Sequence, residues 1–189
     1  MATATTARTI GGRELPAAGT YEIDRAHSSV EFVARHLMVA KVRGRFADVA
    51  GTIEIAEVPE RSSVAVTIQT ASVDTRDPQR DEHLRSADFF AAEQYPTIDF
   101  RTRGVRTAGA HWRVVSDLTI RGVTRPVVLD VEFQGATADP LGNQRAVFSA
   151  TAEVDREEFG LTWNQTLESG GVLVGKRARI EIEVEAVRT

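Results

Sequence analysis

TRDPQRDEHLRSADFFAAEQYPTIDF, residues 75–100, interrupts two plain strand patterns with charges, a histidine, three phenylalanines and a helix-start signal. Asp77 can accept from the free N–H groups of a first helical turn, and Pro78 suits the first helical position, where a missing N–H costs nothing. The pattern predicts a helix from about Pro78 to about Phe90. Leu84, Ala87 and the pair Phe89/Phe90 then make an apolar stripe, with Arg80, Asp81, Glu82, Arg85 and Asp88 on the polar side. Tyr95-Pro96 stops the helix and returns the chain to a strand through Ile98 and Phe100. A short helix with one apolar stripe needs an apolar surface to lie on, and the flanking strands supply it.

Those strands carry the period-2 alternation of half-buried sheet. Tyr21 and Ile23 open the series, and Val30, Phe32 and Ala34 follow. Residues 36–42, HLMVAKV, are ambiguous and read as a turn or one loose helical turn. A strand through residues 52–57 precedes Val64, Val66 and Ile68. After the helical insertion, Trp112, Val114, Ser116, Leu118 and Ile120 share a face, Arg121-Gly122 makes a tight connection, and Val127, Leu129, Val131 and Phe133 continue. Residues 136–144, ATADPLGNQ, are loop chemistry. Phe148, Ala150, Ala152 and Val154 form another inward set, residues 155–171 a second irregular region, and Ile180, Ile182, Val184 and Ala186 the last strand. About eight or nine strands joined by short turns predict sequential antiparallel pairing. Closure into a barrel removes the two free edges, and a β-sandwich is the competing architecture. Residues 1–19, rich in Thr, Ala and Gly, read as a flexible lead-in, with the ordered domain over 20–189.

The chain has 189 residues, room for one domain with a sizeable core. A net charge of −4 argues against a general nucleic-acid binder. Without cysteine, no disulfide, thiolate nucleophile or cysteine metal site exists. No run approaches the ~20 apolar residues of a membrane-spanning helix. The N-terminal stretch MATATTARTIGGRELPAAGT has no continuous apolar core of the secretory kind, which predicts a cytoplasmic protein.

His27, His36, His83 and His111 are the acid–base or metal candidates, yet no two stand at ligand spacing. Arg80, Asp81 and His83 resemble a catalytic or head-group constellation, but neighbours on a helix point apart, so Arg80 or Asp81 is expected to tie the helix to nearby loops such as Asp74 or Arg76. No G-x-S-x-G elbow or phosphate loop is present. The expectation is no catalytic residue, no metal and no cofactor. A ligand-binding barrel has more support, because Ala34, Ala150 and Ala152 leave space among bulky inward residues while aromatic side chains gather near the irregular segments.

The segments YEIDRAHSSVEFVARHL, VRGRFADVAGTI, SVAVTIQTASVDT, RDEHLRSADFFAAEQYPTIDF, LTIRGVTRPVVLDV, DREEFGL and IEIEVEA together resemble the YceI-like family, polyisoprenoid-binding proteins with a lipocalin-like barrel. The likeness covers about Thr20 to Val187. It implies an all-β fold, an eight-stranded antiparallel lipocalin-like β-barrel with one short helical insertion, enclosing an apolar pore for an isoprenoid chain. Two departures stand out. Many family members carry a secretion signal and work in the periplasm, and the Gly-x-Trp of true lipocalins is missing near the first strand, Trp112 and Trp163 lying elsewhere.

The resulting expectation is a non-enzymatic carrier or store for an amphipathic isoprenoid, a polyprenyl lipid or an isoprenoid quinone. Phe32, Phe46, Phe89, Phe90, Phe100, Leu118, Leu129, Phe148 and Trp163 are the predicted tail contacts. His36, Arg80 and His83 are the predicted head-group contacts. Barrels of this family often pair, so the resemblance also implies a homodimer. The rival readings are a metal protein or enzyme built on the histidines, and a filled barrel acting as a stress or interaction module.

Overall fold

A computed structural model describes residues 6–168 and 170–189. Its core is a closed antiparallel ring of eight strand courses. Three of the courses are broken. The first is β3 (Gly19–Ile23) continued by β4 (Ser29–His36), and the second is β5 (Ala40–Phe46) continued by β6 (Val49–Ile55). The third is β7 (Ser63–Gln69) continued, after one 3-10 turn, by β8 (Val73–Asp74). The other five run unbroken: β9 (Thr97–Ala108), β10 (His111–Ile120), β11 (Val123–Ala138), β12 (Gln144–Asp155) and β13 (Val174–Arg188).

The ring closes because β13 pairs on one side with β12, Ala150 opposite Ile182, and on the other with both β3 and β4. That closure excludes the sandwich. It also explains the first break, since β13 binds β4 along its first part and β3 along its last, and residues 24–28 bend the first course between the two. Phe32 stands opposite Gly44 across the β4–β5 pair, and a Cβ on Gly44 would run into the Phe32 ring. Only glycine lets that ring cross its neighbour.

The two ends of the barrel are covered differently. At one end β1 (Ala7–Ile10) and β2 (Arg13–Pro16) form a hairpin whose Leu15 and Pro16 are buried. Residues expected to be a flexible lead-in therefore plug the barrel from position 7 onward. The first five positions of that lead-in lie outside the described residues, as does residue 169 of the second irregular region.

At the other end lies α1 (Pro78–Arg85), with Asp77 accepting from the Arg80 N–H at 3.2 Å as the cap. The helix is shorter than the expected run to Phe90. It stops where Ser86 turns extended, its N–H donating to the Glu82 and His83 carbonyls and its hydroxyl to the His83 carbonyl. Phe89 and Phe90 consequently sit in the turn after the helix, held by the Phe90 N–H to the Leu84 carbonyl and by Arg121 to the Phe89 carbonyl. Both rings are buried, while the buried residue of α1 itself is Asp81. The helix is thus anchored by a carboxylate and contributes Leu84 to the barrel interior, while the turn beyond it carries the two buried rings.

Candidate functional site

Strand alternation turns one set of side chains into the ring, and they stop short of filling it. Ala34, Ala150, Ala152 and Ala178 stand among Val, Ile, Leu and Phe on the inner wall, and the space left is a cavity of about 310 Å³. Its wall draws on every barrel course and on the covers of both ends, from Leu15 and Trp112 to Phe89 and Leu161. The filled-barrel reading fails on this cavity. Polar lining side chains are few: Arg8, Ser28, Ser62 and Arg156.

Eight of the nine predicted tail contacts lie on this wall: Phe32, Phe46, Phe89, Phe90, Phe100, Leu118, Leu129 and Phe148. Trp163 does not. It packs behind the wall, with its ring 5.3 Å from Phe89 and 4.6 Å from His83 between centroids. The aromatic wall at this end is continuous through Phe32, Phe46 and Phe90, at centroid spacings of 5.8 and 5.7 Å.

None of the three predicted head-group residues lines the cavity. Arg80 donates from Nε to the Thr75 hydroxyl at 2.7 Å and from Nη2 to the Thr75 carbonyl at 3.0 Å. Buried Asp81 accepts from the Thr75 N–H at 2.8 Å and from its hydroxyl at 2.6 Å. Both side chains fasten α1 to the residue just past the end of β8, so the tie runs through Thr75 in place of Asp74 or Arg76. His83 pairs with Asp88 at 2.9 Å and lies edge-on against Trp163 and Phe89. His36 ends β4, half-buried, opposite Ala40 and Val174.

The polar group that does reach this end of the cavity is Arg156, at the start of a 3-10 turn (Arg156–Phe159) and 7% exposed. Its guanidinium donates to the carbonyls of Gly175 at 2.9 Å, Trp163 at 2.9 Å, Val174 at 3.3 Å and Leu161. Burial lowers its pKa, against the opposing pull of the Glu157 and Asp155 charges. No carboxylate lies within ion-pair distance of it among the described residues, so the buried cation is held directly by carbonyl oxygens, with the Glu157 and Asp155 charges acting from farther away. Sequence reading missed it because DREEFG looks like loop chemistry. The available signal was parity, since Arg156 continues the inward series Ala150, Ala152, Val154.

The histidines stay apart: His27 pairs with Asp24, His83 with Asp88 and His111 with Glu132. Asp24, His27 and Glu185 are close enough together to suggest a metal site. Arg145 already occupies that position, with Nη1 2.7 Å from Asp24 and 2.6 Å from Glu185 and Nε 3.0 Å from Asp139. Hydrogen bonds from Arg145 and then His27 hold the Asp24 carboxyl far below its usual range. A guanidinium among three carboxylates satisfies the charge a cation would bring, so these residues fit a structural ion cluster and not a metal centre.

Comparison with known proteins gives one consistent pattern. The YceI-like domain profile matches residues 21–186. A UPF0312 protein of Staphylococcus aureus is 40% identical over 168 residues, covering 87% of this chain and 95% of its own length. Among solved structures, the Campylobacter jejuni YCEI protein superposes with a TM-score of 0.70 at 30% identity, over 82% of this chain and 90% of that one. A polyisoprenoid binding domain from Saccharophagus degradans, implicated in plant cell wall breakdown, shares the fold with a TM-score of 0.65 at 15% identity, over 92% of this chain and all of that one.

Proposed function

Because this chain belongs to the YceI-like domain family, we propose that its barrel binds an amphipathic isoprenoid lipid, such as a polyprenyl lipid or an isoprenoid quinone, and carries or stores it without chemical change. The observation that carries this reading is the cavity: about 310 Å³ of apolar space in a closed barrel, with a buried guanidinium at its helix-covered end that no carboxylate of the described residues pairs. A volume near the lower limit for small-molecule sites, ~300–1,000 Å³, suits a short tail or part of a longer one. The polyisoprenoid binding domain with the same fold supports the ligand class.

Burying one CH₂ contributes ~0.8 kcal/mol, so one isoprene unit contributes roughly 3–4 kcal/mol before costs. Three or four such units, on the order of 10 kcal/mol, offset the ordering penalties and leave about micromolar binding or tighter. The tail lies along Phe32, Phe46, Phe100, Leu118, Leu129 and Phe148. Its polar end, a phosphate or a quinone carbonyl, meets Arg156, where the free N–H of the guanidinium and its positive charge favour an oxygen acceptor. His36, Arg80 and His83 are released from the head-group role. Chain length sets affinity more than head group does, since most of the wall is apolar.

Organic extraction of the purified protein followed by mass spectrometry, with titration of added polyprenyl phosphate and quinone, tests the reading. Co-purifying isoprenoid, or saturable one-to-one binding that tightens with chain length, is the expected result. A protein that is empty as isolated and binds neither lipid overturns it.

A further inference from the structure

The hairpin joining β4 to β5 breaks three local rules within residues 35–41. Its tip is Leu37, Met38 and Val39, exposed at 44%, 53% and 80%. These are the only consecutive exposed large apolar residues among the described residues, the others (Ile10, Val58, Val128, Leu141) standing singly. Scattered exposed hydrophobics are ordinary, whereas a contiguous set marks a contact surface. Leu37 and Met38 also hold φ of 52° and 66°, as the central pair of a turn closed by the Val39 N–H on the His36 carbonyl, left-handed backbone that such a turn normally gives to Asn-Gly. Two bulky side chains in that region are strained, so the turn keeps apolar residues at a cost in folding.

The third break is electrostatic. Arg35 and Lys41 are direct cross-strand partners, both exposed, two residues behind the tip on either strand. Like charges in that position repel. Neither has a carboxylate at ion-pair distance among the described residues, although Arg43, one outward position further, is paired with Glu31 and Glu181. Apolar tip and unpaired cations are both satisfied by one environment, an acyl layer beneath a sheet of phosphates.

We propose that this hairpin tip docks the protein on an anionic lipid surface. Leu37, Met38 and Val39 enter the boundary between head groups and acyl chains, and Arg35 and Lys41 meet the phosphates. The spacing fits: two residues of strand span ~7 Å, inside the ~5–10 Å to which interfacial segments bury. The docked face is the helix-covered end of the barrel. The Leu37 N–H donates to the Leu173 carbonyl at 2.8 Å, and Met38 packs against Gly171, in the same segment that Arg156 holds through Leu161, Trp163 and Val174. The inference stands on the hairpin's own surface and does not depend on what fills the cavity.

Co-sedimentation of the full chain with phosphatidylcholine vesicles, with and without phosphatidylglycerol, tests it, with thermal melting and extractable lipid measured on each variant. The wild-type chain binds the anionic vesicles more tightly, and salt weakens that binding. Leu37→Asn/Met38→Gly/Val39→Ser lowers vesicle binding by on the order of tenfold or more while melting no lower than wild type, because the turn is relieved. Arg35→Gln/Lys41→Gln removes the preference for anionic vesicles. Unchanged lipid content in variants that no longer bind vesicles supports docking as a property separate from the cavity. A wild-type chain that ignores anionic vesicles, a tip variant that binds as well as wild type, or a tip that serves only to join two copies of this chain in sedimentation overturns the proposal.

Discussion

Phe89 and Trp163 meet with ring centroids 5.3 Å apart, Phe89 on the cavity wall and Trp163 behind it. One ring forms the site and the other holds it in place. Phe89→Ala is expected to cost about 3–5 kcal/mol in urea unfolding, as for large-to-small changes in a core, and Phe89→Asp more, with loss of lipid binding. Trp163→Ala removes no lining atom, so its signature is faster lipid release with a smaller loss of stability. A Phe89→Asp chain that folds and binds lipid normally would show that the turn after α1 is misplaced.

Ala150 lies 7% exposed on the cavity wall, between Val131 and Ile182 on the neighbouring strands. In a filled core Ala150→Phe would overpack and destabilise by about 1–3 kcal/mol. Here the ring enters empty space, so stability should change by less than about 1 kcal/mol while isoprenoid binding weakens by on the order of tenfold or more, the longer tails losing most. Denaturant melts read alongside lipid titration separate the two effects.

The barrel was legible because period-2 alternation records which face is buried, and the cavity was half-legible because Ala34, Ala150 and Ala152 recur on that face. Covers and clamps were not. Phe89 and Phe90 fall near helical spacing from Leu84, but Ser86 ends the helix first, a choice made by hydrogen bonds that periodicity does not encode. The plug at residues 7–16 has the composition of a tail and gains its order only by closing the barrel end with Leu15 and Pro16. Arg156 is invisible for a similar reason, since its four carbonyl acceptors come from residues 161–175, brought to it by the fold.

Arg145 joins the first barrel course to β12 and β13 through Asp24, Asp139 and Glu185, and this sets an acid limit. Asp24 is held far below the usual carboxylate range by Arg145 first and His27 second. Asp139 is lowered to about 2, chiefly by the Asn143 amide, with Arg145 adding to it. A carboxyl whose pKa is depressed by folding stabilises the fold above its unfolded pKa, near ~3.9, and loses that contribution as pH falls through the folded value. The stability gap between wild type and Arg145→Met should therefore be full at neutral pH and narrow by more than about half between pH ~4 and ~2. Urea unfolding of both chains across that range reads it directly, and a gap independent of pH would remove the cluster from the account of acid stability.

Ser116 is fully buried on β10, between the lining residues Val114 and Leu118, and its Oγ has no hydrogen-bond partner among the described residues. It sits beside the irregularity where β10 shifts register against β9, between Val115 and Ser116. An unsatisfied buried hydroxyl costs about 1–3 kcal/mol, and replacing it with an apolar group of nearly the same shape recovers part of that. Ser116→Ala is expected to stabilise the protein by about 1 kcal/mol, a rise of roughly 2–4 °C in Tm for a chain of this length. Because Ser116 is not on the cavity wall, isoprenoid affinity should stay unchanged. A loss of binding with Ser116→Ala would place the hydroxyl against the ligand instead, and a loss of stability would mean that it finds a partner through motion of the adjoining bulge.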